Sequence, residues 1–341
     1  MKRHIAATAF VLMSFASGVW AETYRTGVVD FKIEDAAGRP LDGYVWYPTM
    51  QEGAEVPAHG NKVWDQVMVV RDAGLVGGAH PLVVLSHGMF GNANNQAWLA
   101  QALVEDGYIV AAVNHPGTTT FDKDPDQRRM LWERPRDISR VIDYVLGGAG
   151  IGAVVEPARI FIAGHSLGGF TAVALAGGRY DGAQFDAFCA GHPGELVCGL
   201  FDGWGVGKSP EDLAAMQGDL GDARIAGFAV FDLGGTQSFS KASLAAVAHP
   251  ILVIGAPEDI QGLDLDIESR ALVAMLPKGV TYLEPETLAH FDFLGLCTEA
   301  GFEILKEEEP EDAFVCEKGR DERRADHAAV IDAVTTFFGG L

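Results

Sequence analysis

Continuous apolar runs alternate along the chain with stretches of helical spacing. The runs "PLVVLSHG" (81–88), "YIVAAVNHPG" (108–117), "ARIFIAG" (158–164), "IAGFAVFD" (225–232) and "PILVIGAP" (250–257) do not alternate apolar with polar positions. They therefore read as strands buried on both faces. Between them, "NNQAWLAQALVEDG" (94–107) places Trp98, Leu99, Ala102 and Leu103 on one helical face and stops at Gly107. "RPRDISRVIDYVLGG" (134–148) has Pro135 early and glycines after its end, as a helix should. A helix from Ser166 through Ala176, another around 266–276, the strand "VTYLE" and a last helix near 321–338 continue the series. Upstream, "YRTGVVDFKIED" and "RPLDGYVWYPT", joined by "AAG", form an N-terminal hairpin, and residues 50 to 80 look irregular. Strand–helix alternation of this kind predicts an α/β fold: a mostly parallel central sheet covered by helices on both faces, with an antiparallel hairpin before it. The stretch 178–223 is too long for a simple connection, and reads equally as part of a lid or as a surface excursion.

Composition narrows the setting. Lys2 and Arg3, the apolar run "IAATAFVLMSFASGVW" and the small residues at Val19 and Ala21 have the shape of a signal peptide over 1–21, cleaved near Ala21. Residues 22–341 are then one domain working in the periplasm or outside the cell, with no stable membrane anchor expected. A formal net charge of −22 argues against nucleic acid as a partner, and against tight binding to anionic lipid. The four cysteines of an exported chain suggest two disulfides, and closing short loops pairs Cys189 with Cys198 and Cys297 with Cys316. Their spacing does not suit a metal site.

One stretch points to chemistry. "ARIFIAGHSLGGF" (158–170) runs from a strand through Gly164, Ser166 and Gly168 into a helix. In a sheet of this type ligands sit beyond the carboxyl ends of the strands, and a serine on so tight a strand-to-helix turn presents its hydroxyl there. The competing reading is a serine that merely caps the helix.

A serine nucleophile needs a base and an orienting acid, which on this fold follow in the order serine, acid, histidine at the ends of later strands. Asp259, just past "PILVIGAP", is the first expectation for the acid. Asp232, one strand earlier, is the alternative, and Glu258 the third. His290, in the loop after "VTYLE", is the expected base. Of the other histidines, His87 and His165 read as structural, and His327 in the last helix is the only serious rival. The oxyanion donors expected are the backbone N–H of Leu167 and one from "LSHGMFGN", Met89 before Phe90. Met89, Phe90, Trp98, Phe170, Trp204 and Phe291 could line an acyl pocket, though such residues are more often core.

At these residues the sequence resembles the serine α/β-hydrolases, and more narrowly the bacterial dienelactone-hydrolase-like group related to platelet-activating-factor acetylhydrolases. The matching stretches are "LSHGMFGN", "VNHPGTT", "RPRDISRVIDYVL", "GHSLGG" and "AHFDFLGLC". The resemblance implies an esterase with a Ser–Asp–His triad, an acyl-enzyme and no metal or cofactor, acting on a small-molecule ester. It puts the nucleophile at Ser166, the base at His290 and the oxyanion donors at Met89 and Leu167. In the acetylhydrolases the acid follows the strand equivalent to "GFAVFD", which keeps Asp232 in play. Dienelactone hydrolases proper use a cysteine where this chain has Ser166, so that label does not name the substrate. Lipid acyl hydrolysis, and amidase or lactonase chemistry on the same triad, are the alternatives, with a non-catalytic binding protein on this fold behind them.

Overall fold

The computed structural model describes residues 23–341 except 36–37, 149 and 259–261. The expected signal peptide, 1–21, lies outside the described residues. Ten strands form one sheet: β1 Arg25–Ile33, β2 Leu41–Thr49, β3 Val56–Ala58, β4 Val67–Arg71, β5 His80–Ser86, β6 Ile109–Asn114, β7 Val155–His165, β8 Ile225–Phe231, β9 Ile251–Ile254 and β10 Thr281–Leu283. Their spatial order is β10-β9-β8-β7-β5-β6-β2-β1-β4-β3. From β10 to β6 all neighbours are parallel, whereas β2 runs antiparallel to both β6 and β1. The mostly parallel sheet with an N-terminal hairpin is thus as expected.

The apolar runs are two-sided for a geometric reason. Successive strand residues point to opposite faces. Leu82, Val84, Ile160, Ile162, Phe228 and Val230 pack on one face with Ile138, Val141 and Ile142 of the helix Glu133–Gly147. Val83, Leu85, Phe161, Ala163, Ala229 and Phe231 pack on the other with Leu99 and Leu103 of the helix Ala97–Glu105, and with Val330, Val334 and Phe338 of the helix Arg320–Gly339. Both faces are dry, so neither can tolerate a polar alternation.

One region departs from expectation. Residues 50 to 80 are not irregular: they supply β3 and β4, with β4 lying parallel to β1. These strands are short, and Pro57 sits in β3 at the sheet edge, where a missing N–H is tolerated. Residues 306–312, "KEEEPED", form the end of the helix Gly301–Glu308 and the start of a 3-10 segment, Pro310–Cys316.

The stretch 178–223 folds into three short helices, Gly182–Gly191, Leu196–Trp204 and Pro210–Met216. Cys189–Cys198 joins the first two, and Cys297–Cys316 closes over the segment that holds Gly301–Glu308. Both bridges pair as expected. Among the described residues, no helix is long and apolar enough to cross a membrane.

His327, on the C-terminal helix, is buried and stacked on Trp98 with ring centroids 3.7 Å apart. Its Nε2–H donates to the carbonyls of Asp292 and Leu294 at 2.8 and 2.9 Å. Burial, only partly opposed by these bonds, lowers its pKa from the ordinary 6.5 to about 4. Between those values the unfolded chain binds the proton and the folded one does not. Stability is therefore full above pH 6.5 and lost as pH falls toward 4, by roughly 3 kcal/mol from this group. Urea midpoints measured from pH 7.5 to 4 should drop over that interval, and His327→Gln should flatten part of the fall. An unchanged slope in the variant would remove His327 from the account.

Candidate active site

The chain leaves β5 for β6 on one side, then crosses back to lay β7 on the other side of β5. The loops that follow β5 and β7 therefore separate at their ends and leave a crevice, the usual place for a ligand in such sheets. Register keeps the parts level: Ser86 pairs with Gly164, and His165 with Phe231.

Ser166 follows directly from β7, with φ 55° and ψ −117°. A non-glycine residue in that region stores about 1–3 kcal/mol of strain, which the surroundings must hold. They do so by close approach. A Cβ on Gly164 would lie 2.0 Å from the carbonyl oxygen of Gly168, and one on Gly168 would lie 1.9 Å from that of Ser86. Only hydrogen at both positions lets strand, turn and helix cross this closely. The Ser166 N–H donates to the Phe231 carbonyl at 2.9 Å, fixing the turn against β8. The capping reading fails, since within the described residues the Ser166 hydroxyl makes no cap bond to the helix Leu167–Leu175.

His290 opens a 3-10 turn, His290–Phe293, and is buried. Its Nδ1–H donates to Asp232 Oδ2 at 2.7 Å, which leaves Nε2 as the nitrogen available to a serine. Asp232 comes straight off β8 with φ 38°. Its other oxygen accepts from the Ala256 N–H at 3.0 Å and the Ser269 hydroxyl at 3.4 Å. The partner of His290 is thus the alternative acid and not the first expectation. Asp259 lies outside the described residues, and the Glu258 carboxylate pairs with Lys318 at 3.9 Å. The Nδ1 position has one bond to make, and Asp232 holds it.

His165 is structural, as expected. Its Nε2–H donates to the His290 carbonyl at 2.8 Å, and the two rings lie 4.7 Å apart. Burial first, then the neighbouring His290, push it well below the usual imidazole range, so it stays neutral. Asp292 fixes the same turn from the other end. It accepts from the Ala289 N–H at 2.8 Å, and takes Lys318 at 2.7 Å and Arg323 at 3.1 Å. His327 supports this turn from behind and does not line the cavity, so the rival base is out of reach.

The loop after β5 reaches the serine from the opposite side. A Cβ on Gly88 would stand 3.2 Å from Ser166 Cβ. Phe90 has φ 53°, and its N–H is committed to the Thr118 carbonyl at 2.8 Å. Of the two loop donors considered, that leaves Met89. Leu167 supplies the first N–H of its helix, which the helix itself cannot satisfy.

Ser166, Leu167, Met89 and His290 all line one cavity of about 1110 Å³. One wall is the helix Leu196–Trp204, through Leu196, Val197, Leu200, Phe201 and Trp204. The other comes from Trp64, Phe291, Leu294, Ile304, Leu305 and Phe314. Of the expected pocket residues, Met89, Phe90, Trp98, Trp204 and Phe291 line it, whereas Phe170 is core, packed on Phe201 and Phe239. Sequence reasoning missed the wall from 301–316, and also Arg134, His115 and Asp137 behind the loop. The only signal for these three was their place in "RPRDISRVIDYVL" and "VNHPGTT".

Comparison with known proteins agrees with this architecture. Residues 77–191 match the family model of serine aminopeptidases, S33. Over 101 residues the chain is 30% identical to cutinase est1 of Thermobifida alba, and 29% identical to cutinase 2 of Thermobifida cellulosilytica. These stretches span 29% of this chain and 31% and 35% of the two cutinases, about a third of each. A ferulic acid esterase from Streptomyces cinnamoneus superposes with a TM-score of 0.61 at 20% identity, over 95% of this chain and 91% of that one. The fold is that of the α/β-hydrolases, and residues 77–191 are similar to a serine hydrolase family of that fold.

The crossing at Gly168 is the tightest point of the site. Gly168→Ala should cost about 3 kcal/mol or more through forced backbone displacement. Chemical denaturation of the purified variant checks this. A midpoint within error of the wild type would show that the turn has room the geometry denies it.

Proposed function

We propose that the protein is a serine ester hydrolase, with Ser166 as nucleophile, His290 as base and Asp232 as the orienting acid. One observation carries the reading above the others. His290 gives its Nδ1–H to Asp232 at 2.7 Å while lining the same cavity as a serine held on a strained turn. Neutral His290 takes the Ser166 proton at Nε2 as Oγ attacks the ester carbonyl. The carbonyl π electrons move onto oxygen, and the N–H groups of Leu167 and Met89 stabilise that charge. Collapse expels the alcohol, protonated by His290, and leaves an acyl-Ser166. Water, deprotonated by the same imidazole, then releases the acid. Asp232 holds the tautomer and stabilises the imidazolium without itself becoming protonated.

The cutinase and ferulic acid esterase names among the similar proteins support an ester as the bond cleaved. The cavity, about 1110 Å³ with apolar side chains on both walls and the carboxylates of Glu308, Glu309, Glu311 and Asp312 also lining it, suits a small carboxylic ester with an apolar group on either side. Two disulfides support an exported protein, since such bridges persist in oxidising compartments. The reading retains 1–21 as its leader and 22–341 as the hydrolase domain.

The test is turnover of p-nitrophenyl esters from acetate to decanoate, with p-nitroanilides alongside to separate ester from amide cleavage. Ser166→Ala should abolish turnover. Asp232→Asn should lower kcat by about 10³–10⁴, because it leaves His290 in the wrong tautomer. Asp259→Asn should change kcat by less than about twofold, since Asp232 already holds the Nδ1 position of His290. Full activity in Asp232→Asn would sink the assignment.

A further inference from the structure

An oxyanion hole assembled from Met89 and Leu167 draws on two separate pieces of backbone, and its donors work only if both are aimed to within about 0.5 Å. One buried side chain bonds to both pieces. Arg134, on the helix Glu133–Gly147, is 1% exposed and engages neutral oxygens alone among the hydrogen-bond partners described. Its Nε–H donates to Thr171 Oγ1 at 3.0 Å, and the Thr171 hydroxyl donates to the Leu167 carbonyl at 3.0 Å. That arm holds the first turn of the helix behind Ser166. A second arm reaches Thr118 Oγ1, and the Thr118 carbonyl is the acceptor for the Phe90 N–H. The third reaches the His87 carbonyl and, at 3.3 Å, Ser86 Oγ.

Beyond Ser86 the bonds continue into a buried relay. The Ser86 hydroxyl donates to His115 Nε2 at 3.0 Å, and His115 Nδ1–H donates to Asp137 Oδ2 at 2.9 Å. Arg39 neutralises Asp137 through two bonds of 2.9 and 2.7 Å. This Ser–His–Asp row has the partners of a triad but lies wholly inside the protein, so it meets no substrate. Its product is orientation. The His115 N–H donates to His87 Nε2 at 3.1 Å, which leaves the His87 proton on Nδ1, and that N–H donates to the Gly88 carbonyl at 2.7 Å. A trans peptide is planar, with its C=O and N–H opposed, so holding the Gly88 oxygen aims the Met89 N–H the other way.

Building on the esterase reading above, we propose that Arg134 is a positioning residue, a buried brace that sets the mutual aim of the Met89 and Leu167 N–H groups. It touches neither substrate nor Ser166. The His87 carbonyl and the Leu167 carbonyl are the two ends it spans, and the distance between them sets the width of the oxyanion hole.

The experiment measures kcat, KM and the inhibition constant of a simple alkylboronic acid, whose tetrahedral adduct presents an oxygen where the oxyanion forms. It does so for the full chain, Thr171→Val, Thr118→Val and Arg134→Met, each checked for folding by circular dichroism and thermal melting. In the folded threonine variants kcat should fall about tenfold and in Arg134→Met about 100-fold, since misplacement on the ångström scale is enough for such losses. KM should stay within about threefold, because ground-state binding does not use these donors. The boronate constant should rise in step with the loss of kcat/KM. Should Arg134→Met fail to fold, the two threonine variants decide. Unchanged kcat and boronate affinity in folded variants, or a loss confined to KM or to melting temperature, overturns the brace alone. No wild-type turnover, or turnover surviving Ser166→Ala, overturns the esterase reading and this inference with it.

Discussion

The site depends on a single crowded crossing. Strand β7, the turn at Ser166 and the helix that follows pass so close to the end of β5 that Gly164 and Gly168 each have backbone where a Cβ would go, at 2.0 and 1.9 Å. That closeness is what turns Ser166 outward, and it also fixes the distance from the serine to the loop after β5. Strain at Ser166, Phe90 and Asp232, all non-glycine residues with positive φ, collects at this one edge of the sheet. Positions of that kind persist only where the surroundings over-determine them. Here the surroundings are parallel strands, of which β5, β6, β8, β9 and the second half of β7 are buried on both sides.

Against that rigid edge, the three loops are held by buried polar groups. Each holds its loop differently. The turn of His290 is clamped by Asp292, which is shared between Lys318 and Arg323, and by His165 and His327 from two sides. The loop after β8 is anchored by Glu268, whose carboxylate accepts from the N–H groups of Gly235 and Thr236 and is pushed by burial up to about 7. The loop after β5 hangs from Arg134. Ionic groups this deep gain little net stability, because desolvation offsets most of their attraction. What they do supply is a unique arrangement, since removing either partner strands a buried charge or donor.

Much of this was legible in the sequence, for definite reasons. Strands buried on both faces leave unbroken apolar runs, and "GHSLGG" after one of them carries both the steric requirement and the hydroxyl. The order serine, acid, histidine also reads directly. The acid itself did not, because Asp232 and Asp259 each follow a strand and nothing local distinguishes them. The difference is tertiary: β8 lies beside β7, and Phe231 accepts from the Ser166 N–H, so the residue after Phe231 starts level with the serine. The Arg134 brace was illegible for a similar reason. Its partners come from three segments, with Thr171 37 positions away and His87 47, and no periodicity records bonds between residues so far apart in sequence. The short strands β3 and β4 were missed because three and five residues are too few to show a period.

The division of labour between sheet and insertions follows from the same packing. Everything proposed to act on the ester carbonyl comes from strand ends and the turns next to them, where the backbone cannot move without disturbing two dry faces. Both walls of the cavity instead draw on segments outside that frame, Leu196–Trp204 on one side and 301–316 on the other. Each segment carries its own disulfide: Cys189–Cys198 ties the first turn of the helix Leu196–Trp204 to the helix before it, and Cys297–Cys316 closes a loop of 19 residues around 301–316. Neither bridge connects a wall to the sheet edge that holds Ser166. On the ester-hydrolase reading, each wall can therefore be reshaped while the turn at Ser166 stays fixed, and the choice of substrate lies with the segments around Trp204 and Phe314.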